Sequence, residues 1–179
     1  MIFSSTSVEG AFLIRPERVE DERGFFARTY CVRELAEHGI DSQVVQRSVS
    51  YNRRRGTLRG MHFQVSPHEE TKLVSCLRGS LYDVVIDLRP SSSTYRRWFA
   101  ATLTADGFET LFVPKGCAHG FISLANDTVA HYEISEFHHP ASARGVRYDD
   151  PAFGVEWPMS PLVINARDSG YPPFLAEPE

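Results

Sequence analysis

The sequence predicts a mainly β protein, an antiparallel sandwich or barrel with few short helices. From residue 44 onward, many short segments rich in β-branched and apolar residues follow one another, separated by Gly, Pro, Asp and Asn. Such spacing is typical of antiparallel sandwiches and barrels. No helical crossover patterns separate these segments, which argues against a parallel α/β sheet. The 179 residues, 42% of them hydrophobic, fit one domain spanning residues 1–179.

The bulk properties narrow the class of function. A net charge of −4 argues against broad nucleic-acid binding, although local arginines and lysines still suit a small anionic ligand. The start, MIFSSTSVEG, predicts no signal peptide, and no apolar stretch approaches the roughly 20 residues that span a bilayer. The three cysteines, Cys31, Cys76 and Cys117, are odd in number and lack metal-like spacing. They indicate free thiols in a reducing, cytoplasmic setting.

The N-terminal part mixes short strands with one helix. Residues 1–20 contain two apolar runs that predict strands, with Pro16 at an edge or turn. From Val32 to His38 the apolar residues recur on one helical face, and Gly39 follows as a stop. We therefore expect one short helix there, with Thr29 as its N-cap.

Strands dominate the chain from there to Pro140. They are predicted at Val44-Val45, Leu58 to Phe63, Leu73 to Leu77, Leu81 to Leu88, Trp98 to Leu103, Thr110 to Val113, Gly120 to Leu124 and Val129 to Ser135. Arg78-Gly79-Ser80 predicts a hairpin turn between two of them. Beyond Pro140, RGVRYDDPAFGVEWP predicts loops and short helical turns packed on the barrel, and PPFLAEPE, residues 172–179, predicts a loosely held tail.

His62 is the first candidate for chemistry, in the stretch GTLRGMHFQ. A neutral imidazole is a suitable base near pH 7, although a lone histidine on a strand is as often a hydrogen-bonded structural residue. The neighbouring glycine leaves room for a ligand. Simple alternation puts Arg59 and His62 on opposite faces of this strand. If both serve one site, a bulge or twist must re-aim one of them.

Lys72 and Tyr132 are the next candidates. Lys72 shares its strand face with Val74 and Cys76, so it either points inward, where it needs an anionic partner, or lies at a solvated strand end. Tyr132 is either a core tyrosine with a satisfied hydroxyl or a proton donor. Together, a histidine base, a lysine cation and a tyrosine acid on β-rich segments indicate a proton-transfer site inside a barrel.

His119 lies in VPKGCAHGF, which resembles the second motif of the cupin superfamily. The first cupin motif supplies an HxH pair, but here His62-Phe63-Gln64 contains one histidine. Two separated histidines make a poor metal site without carboxylate help, so we expect no metal. Candidate additional ligands, if a metal were bound, are His68, Glu69 and Glu70.

Several arginines are candidates for binding phosphate, because guanidinium donors match phosphate oxygens. Arg59 is the favoured one since it lies beside a glycine and near His62, and Arg23 is another. The run Arg53-Arg54-Arg55 is better explained as a solvated loop.

The chain resembles the dTDP-4-dehydrorhamnose 3,5-epimerase family from about Phe12 to Asp168. The matching stretches are DERGFF, LRGMHFQ, KLVSCLRGSLYDVVIDLR, VPKGCAHGF and RGVRYDDPAFGVEWP. The resemblance implies a cupin-type double-stranded β-helix, or jelly roll, in a homodimer that shares N-terminal strands. It also implies that neither a metal nor another cofactor is required.

The same resemblance implies roles for individual residues. His62 matches the catalytic base, Asp168 the acid that orients it, Lys72 the cation near the keto oxygen, and Tyr132 the proton donor. Arg23, Arg59 and His119 match substrate-contacting positions, and Gln46 matches a nucleotide contact. The expected partner is a nucleotide-diphosphate sugar, and neither nucleic acid nor membrane is expected.

Four departures from the family pattern concern substrate binding. Arg28 stands where the family has a glutamate, Ser48 replaces an asparagine, Arg167 replaces a lysine, and His138 stands where an aromatic residue is common. We keep Arg28, Ser48 and Arg167 as candidate substrate-binding residues. The residues that match the family's catalytic roles are kept, whereas residues at its nucleotide-binding positions have changed. CDP, GDP and UDP sugars are therefore considered beside dTDP sugars.

The leading hypothesis is an epimerase of a nucleotide-diphosphate 4-keto-6-deoxyhexose in deoxysugar biosynthesis, acting at C3, C5 or both. A keto-isomerase that moves the carbonyl between C3 and C4 is the nearest alternative. A sugar-nucleotide-binding relative without activity and a metal-dependent cupin enzyme are two further alternatives.

Overall fold

The computed structural model describes residues 1–41 and 43–174. Its strands are β1 Ile2–Ser5, β2 Phe12–Arg15, β3 Arg18–Asp21, β4 Gly24–Ala27, β5 Gln46–Asn52, β6 Leu58–Gln64, β7 Lys72–Arg78, β8 Ser80–Asp87, β9 Trp98–Thr104, β10 Thr110–Val113, β11 Cys117–Ser123, β12 Thr128–Ile134 and β13 Ala143–Gly145. Two short helices, α1 Val32–Glu37 and α2 Ala166–Ser169, accompany them. The predicted mainly β class with few short helices is confirmed.

The strands form two antiparallel sheets and a separate hairpin. The first sheet has the order β1-β2-β10-β7-β12-β5, and the second has the order β13-β6-β11-β8-β9. Within residues 1–41 and 43–174, strands β3 and β4 pair with each other and with no other strand. Sequence neighbours repeatedly fall in different sheets, so the chain crosses between the two layers many times.

Two apolar layers hold the second sheet. One core lies between the sheets and joins Val74 and Leu111 of the first to Val85 and Phe121 of the second. The other lies on the outer face of the second sheet, where Phe153 and its neighbours cover it. Because β11 is buried along its whole length, its sequence lacks the apolar–polar alternation of a half-exposed strand. The predicted packing of the segment after Pro140 on the barrel is confirmed.

Two local predictions are wrong. The N-cap of α1 is Cys31 rather than Thr29, because the chain stays extended at Cys31 and the first helical bond runs from Leu35 N–H to Cys31 O. Gly79 makes a tight turn at φ +75°, but β7 and β8 lie in different sheets and form no hairpin. The turn therefore carries the chain from one layer to the other.

The ends of two other predictions shift. Val44-Val45 precedes strand β5, which begins at Gln46. Residues 175–179 of the predicted loose tail lie outside the described residues. Within the described part of this tail, the backbone N–H of Phe174 donates to Asp150 Oδ2 at 2.7 Å, and the ring of Phe174 packs on the ring of Phe153. Among the described helices, none is long and apolar enough to cross a lipid bilayer.

Candidate active site

A cavity of about 350 Å³ opens between the two sheets. Strands β5, β7 and β12 supply one wall, strands β6, β11 and β13 supply the other, and α2 closes one side. Nine of the eleven predicted site residues line it: Gln46, Ser48, Arg59, His62, Lys72, His119, Tyr132, Arg167 and Asp168. The fold therefore brings predicted residues that are up to 122 positions apart in the chain, from Gln46 to Asp168, to one cavity.

His62 is held by a buried aspartate. Its Nε2–H donates to Asp168 Oδ1 at 2.8 Å, and Gly60 N–H donates to Asp168 Oδ2 at 3.1 Å. The Asp168 side chain is 1% exposed, whereas that of His62 is 38% exposed. Among the described residues, His62 Nδ1 has no hydrogen-bond partner, so its lone pair is available to a ligand.

Helix α2 positions Asp168. The side chain of Asn165 accepts a hydrogen bond from Asp168 N–H at 2.7 Å and caps this single turn. Burial by itself would raise the pKa of Asp168, but the hydrogen bonds from His62 and from Gly60 N–H outweigh it and lower that pKa. Asp168 therefore stays ionised and favours the His62 tautomer whose proton is on Nε2.

A register shift brings Arg59 and His62 to the same cavity. On β11, His119 pairs with His62 and Phe121 pairs with Arg59, so two steps on β11 face three on β6. This irregularity is the bulge that alternation alone required. Arg59 Nε then donates to Asn52 Oδ1 at 2.8 Å, which holds its guanidinium at the edge of the cavity.

Tyr132 reaches the cavity from the opposite sheet. It lies on β12, with its hydroxyl 3.2 Å from Ser50 Oγ and its ring edge-on to that of His119. Burial raises the pKa of Tyr132 above its usual range, against the opposing effect of the Ser50 hydrogen bond. The phenol therefore keeps its proton at neutral pH, which is the state a proton donor must start from.

Lys72 is an inward-pointing lysine with an anionic partner. Its Nζ lies 2.8 Å from Glu70 Oε1 and donates to His62 O at 3.3 Å. The two side chains of this ion pair are 12% and 6% exposed. Of the two alternatives for Lys72, the structure therefore shows the inward one.

His119 has a carboxylate partner of its own. Its Nε2–H donates to Asp83 Oδ1 at 2.8 Å, and both side chains are buried. Burial raises the pKa of Asp83, against the opposing effect of His119. Asp83 lies in the run LYDVVID, where its charge among apolar residues is the signal that sequence reasoning missed.

Two predicted residues do not line this cavity. Arg23 and Arg28 belong to the hairpin β3–β4 and the segment after it, and their side chains are 83% and 60% exposed. Arg23 pairs with Asp21, and Arg28 pairs with Glu34. Neither is brought to the cavity of its own chain.

Sequence reasoning also missed several residues that line the cavity. They include Ser50, Glu70, Glu136, Arg144 and Asn165. In the sequence, Glu70 is a candidate only for a metal ligand, and Arg144 stands in RGVRY without a functional pattern of its own. The short strand β13, which carries Arg144 to the cavity, has too few residues to give a strand pattern.

One group of residues near the cavity has the composition of a metal site. The ligand atoms of His68, Glu136 and His139 lie within 4.8 Å of one another in the described part of the chain. The rings of His68 and His139 are stacked 3.4 Å apart and nearly parallel. Lone pairs in two parallel ring planes do not converge on one ion, so this arrangement does not form a chelate.

The whole chain is similar to proteins of known activity. A family model described as dTDP-4-dehydrorhamnose 3,5-epimerase matches residues 5–176. A dTDP-4-dehydrorhamnose 3,5-epimerase of Sinorhizobium fredii is 38% identical over 179 residues, covering 99% of this chain and 92% of the relative. The crystal structure of dTDP-4-dehydrorhamnose 3,5-epimerase from Elizabethkingia anophelis matches with a TM-score of 0.94 at 32% identity, over 97% of this chain and 96% of that chain. A Legionella pneumophila epimerase in complex with dTDP-4-keto-L-rhamnose matches with a TM-score of 0.86 at 30% identity, over 98% of this chain and 99% of that chain.

Proposed function

Because the chain belongs to the dTDP-4-dehydrorhamnose 3,5-epimerase family, we propose that the cavity between its sheets is the active site of an epimerase that inverts a carbon beside the ketone of a nucleotide-diphosphate 4-keto-6-deoxyhexose. The likeness to solved epimerases confirms the jelly-roll fold. The observation that carries the assignment of residues is the His62–Asp168 pair, which faces the same cavity as Tyr132 from the other sheet. This enzyme serves deoxysugar biosynthesis.

His62 is the base. A ketone at C4 acidifies the hydrogens on C3 and C5, and His62 Nδ1 removes one of them. The electron pair of the broken C–H bond moves onto the C4 oxygen and gives an enolate. Asp168 holds the imidazole and stabilises the imidazolium that forms, as the aspartate of a catalytic triad does.

Lys72 stabilises the enolate. An ammonium group placed before the reaction near a developing negative charge lowers the barrier without reorganisation. Lys72 is fixed for this role by Glu70 and by the backbone carbonyl of His62. His119, fixed by Asp83, lines the same cavity and is a further candidate for contact with the substrate.

Tyr132 is the acid. It gives its hydroxyl proton to the carbon from the face opposite His62, which inverts the centre. Solvent then takes the proton from His62 and returns one to the Tyr132 phenolate, which restores both groups for the next turnover. Its protonated phenol and its position on the other sheet support this role.

The part of the substrate that does not react is a nucleoside diphosphate. Arg59, Arg144 and Arg167 give the cavity guanidinium groups suited to phosphate oxygens. Gln46 and Ser48 lie on β5 at the edge where the nucleotide is expected. The Legionella relative binds a dTDP sugar, and we propose a sugar nucleotide of this class for the present chain.

We also propose that the chain works as a homodimer in the cytoplasm. The hairpin β3–β4 exposes Val19, Phe25 and Phe26 at 68%, 43% and 72% of their surface. A patch of this kind marks a protein interface. The cytoplasmic setting is supported by the free thiols of the three cysteines.

Deuterium exchange tests the proposed function. The enzyme is incubated with dTDP-4-keto-6-deoxyglucose in deuterated water, and its CDP, GDP and UDP counterparts are tried in parallel. Deuterium is expected at C3, C5 or both, together with inversion visible by NMR. The proposal fails if no such sugar nucleotide exchanges, and a product with the carbonyl moved to C3 would identify the keto-isomerase instead.

A further inference from the structure

Glu70, at the active-site cavity, has one carboxylate oxygen without a hydrogen-bond partner in the part of the chain that the structure describes. Its side chain is 6% exposed and lines the same cavity as His62, Lys72 and Tyr132. Oε1 is paired with Lys72 Nζ at 2.8 Å. Within the described residues, Oε2 is buried and has no hydrogen-bond partner. A buried carboxylate oxygen without a donor is costly, so a bound molecule that brings a donor gains the corresponding free energy once the Glu70 carboxylate turns this oxygen toward the cavity.

The position of Glu70 determines which hydrogen-bond donor of the sugar lies close to it. In the proposed mechanism, Lys72 binds the C4 oxygen, and Glu70 is the direct neighbour of Lys72. The substituents closest to that oxygen are those on C3 and C5. In a 4-keto-6-deoxyhexose, C5 carries a methyl group, which offers no donor, and C3 carries a hydroxyl.

We propose that Glu70 accepts a hydrogen bond from the C3 hydroxyl of the sugar and thereby makes the enzyme selective for 3-hydroxylated 4-keto hexoses. This inference rests on the proposed function. One carboxylate then orients two groups, the ammonium at the ketone and the hydroxyl beside it. Hydrogen bonds to a charged acceptor are among the stronger ones in proteins, and their loss leaves the acceptor buried and unpaired.

The test compares two substrates in three forms of the enzyme. Exchange of the C5 hydrogen with deuterium is measured for the 3-hydroxylated sugar nucleotide and for its 3-deoxy analogue, with wild type, Glu70→Ala and Glu70→Gln. We expect wild type to prefer the hydroxylated substrate by about 10- to 100-fold in kcat/KM. Glu70→Ala abolishes most of that preference, and Glu70→Gln, which keeps an amide acceptor, retains part of it.

The ratio of kcat/KM between the two substrates distinguishes a contact of Glu70 with the C3 hydroxyl from a role in which Glu70 only positions Lys72. If Glu70→Ala only displaces Lys72, both substrates lose the same factor and the preference persists, which overturns the proposal. Glu69→Ala is the matched control, because Glu69 is the neighbouring glutamate and does not line the cavity. Absence of exchange in the wild type with both substrates would refute the proposed function rather than the role of Glu70. Glu70→Gln keeps the test informative if Glu70→Ala does not fold.

Discussion

His62 and Tyr132 are supported by different parts of the chain. His62 is held by Asp168 of α2, and Tyr132 by Ser50 of β5. Each side chain can therefore be replaced without removing the support of the other. The two halves of the reaction, proton removal and proton return, are separable by experiment on this protein.

Replacing His62 with Ala should abolish exchange at both carbons. We expect a loss of about 10²- to 10⁴-fold in the rate of deuterium incorporation, the usual contribution of a general base. The control is His131→Ala, which removes a half-buried histidine of β12 that does not line the cavity. Equal exchange rates in the two variants would remove His62 from the mechanism.

Replacing Tyr132 with Phe should separate exchange from inversion. Removal of the substrate proton does not need the phenol, so deuterium still enters, whereas delivery from the opposite face is lost. Inversion followed by NMR should fall by about 10²-fold or more, and exchange should fall less. An equal loss of both would show that Tyr132 is not the donor.

At the residue scale, the sequence predicted which residues line the cavity better than it predicted how their side chains point. The resemblance singles out His62, Lys72, Tyr132 and Asp168, but strand alternation places Arg59 and His62 on opposite faces, and the bulge between β6 and β11 brings them to the same cavity. A bulge depends on the partner strand, so no local pattern on β6 reveals it. The pairing of Glu70 with Lys72 has a similar cause, because it depends on both side chains pointing inward, which the local sequence does not determine.

At the scale of elements, the close contact between β6 and β11 determines the geometry of the candidate site. A Cβ on Gly60 would lie 2.4 Å from Gly120 Cα and 2.9 Å from His119 O, and the φ of Gly60 is +127°. Both atoms belong to the backbone, which cannot move aside as a side chain does. The close approach of these strands sets the spacing of His62 and His119.

Gly60→Ala should therefore destabilise the protein by about 3 kcal/mol and reduce activity even where it folds. The matched control is Gly154→Ala, because Gly154 also has a positive φ, +62°, but a Cβ added there would meet no atom within 4 Å. We expect about 1 kcal/mol for that control. Urea unfolding of both variants measures the difference, and equal losses would contradict the steric argument.

Asp87, at the end of β8, makes stability depend on acid pH. Burial alone would raise its pKa, but hydrogen bonds from Arg89, Ser92 and Thr94 lower it to about 2 from an ordinary value of 3.8. Because the folded-state pKa is the lower one, this contribution is fully present above pH 4 and is lost as pH falls toward 2. It amounts to about 2 kcal/mol.

Urea unfolding of wild type and Asp87→Asn between pH 7 and pH 2.5 tests this. The free energy of unfolding should be lower in Asp87→Asn by about 2 kcal/mol or more at pH 7, and the gap should narrow below pH 4. Asp106→Asn, at an exposed aspartate, controls for the loss of one negative charge. A gap that stays constant with pH would show that the carboxylate charge of Asp87 contributes nothing.

Elements were predicted well where the pattern is local. The helix at Val32–Glu37 and most strands followed from periodicity, because a helix face and a run of β-branched residues are visible in one stretch. The pairing of strands, by contrast, does not follow from the pattern within one stretch of sequence. Arg78-Gly79-Ser80 is a tight turn in either case, and only the packing of the two sheets decides that it joins layers.

At the scale of the whole molecule, the cavity of one chain contains all the predicted catalytic residues but not all the predicted substrate-binding residues. Arg23 and Arg28 are exposed on or just after the hairpin β3–β4, outside the cavity of their own chain. The same hairpin presents Phe25 and Phe26 to solvent. In a two-fold dimer a surface element of each protomer meets the other, so such a hairpin can deliver its arginines to the partner's cavity.

A mixture of two inactive variants tests this arrangement. His62→Ala lacks the base, and Arg23→Ala lacks the arginine expected to serve the partner's site. In a mixed dimer, one cavity combines the intact His62 of one protomer with the intact Arg23 of the other, and the second cavity lacks both. Random exchange of subunits makes half of the dimers mixed, so the mixture should recover about a quarter of the wild-type activity. Since each variant alone forms only defective sites, recovery requires that Arg23 act across the interface. A mixture that stays at the average of its two components, while light scattering shows that dimers have exchanged, would place Arg23 outside the partner's site.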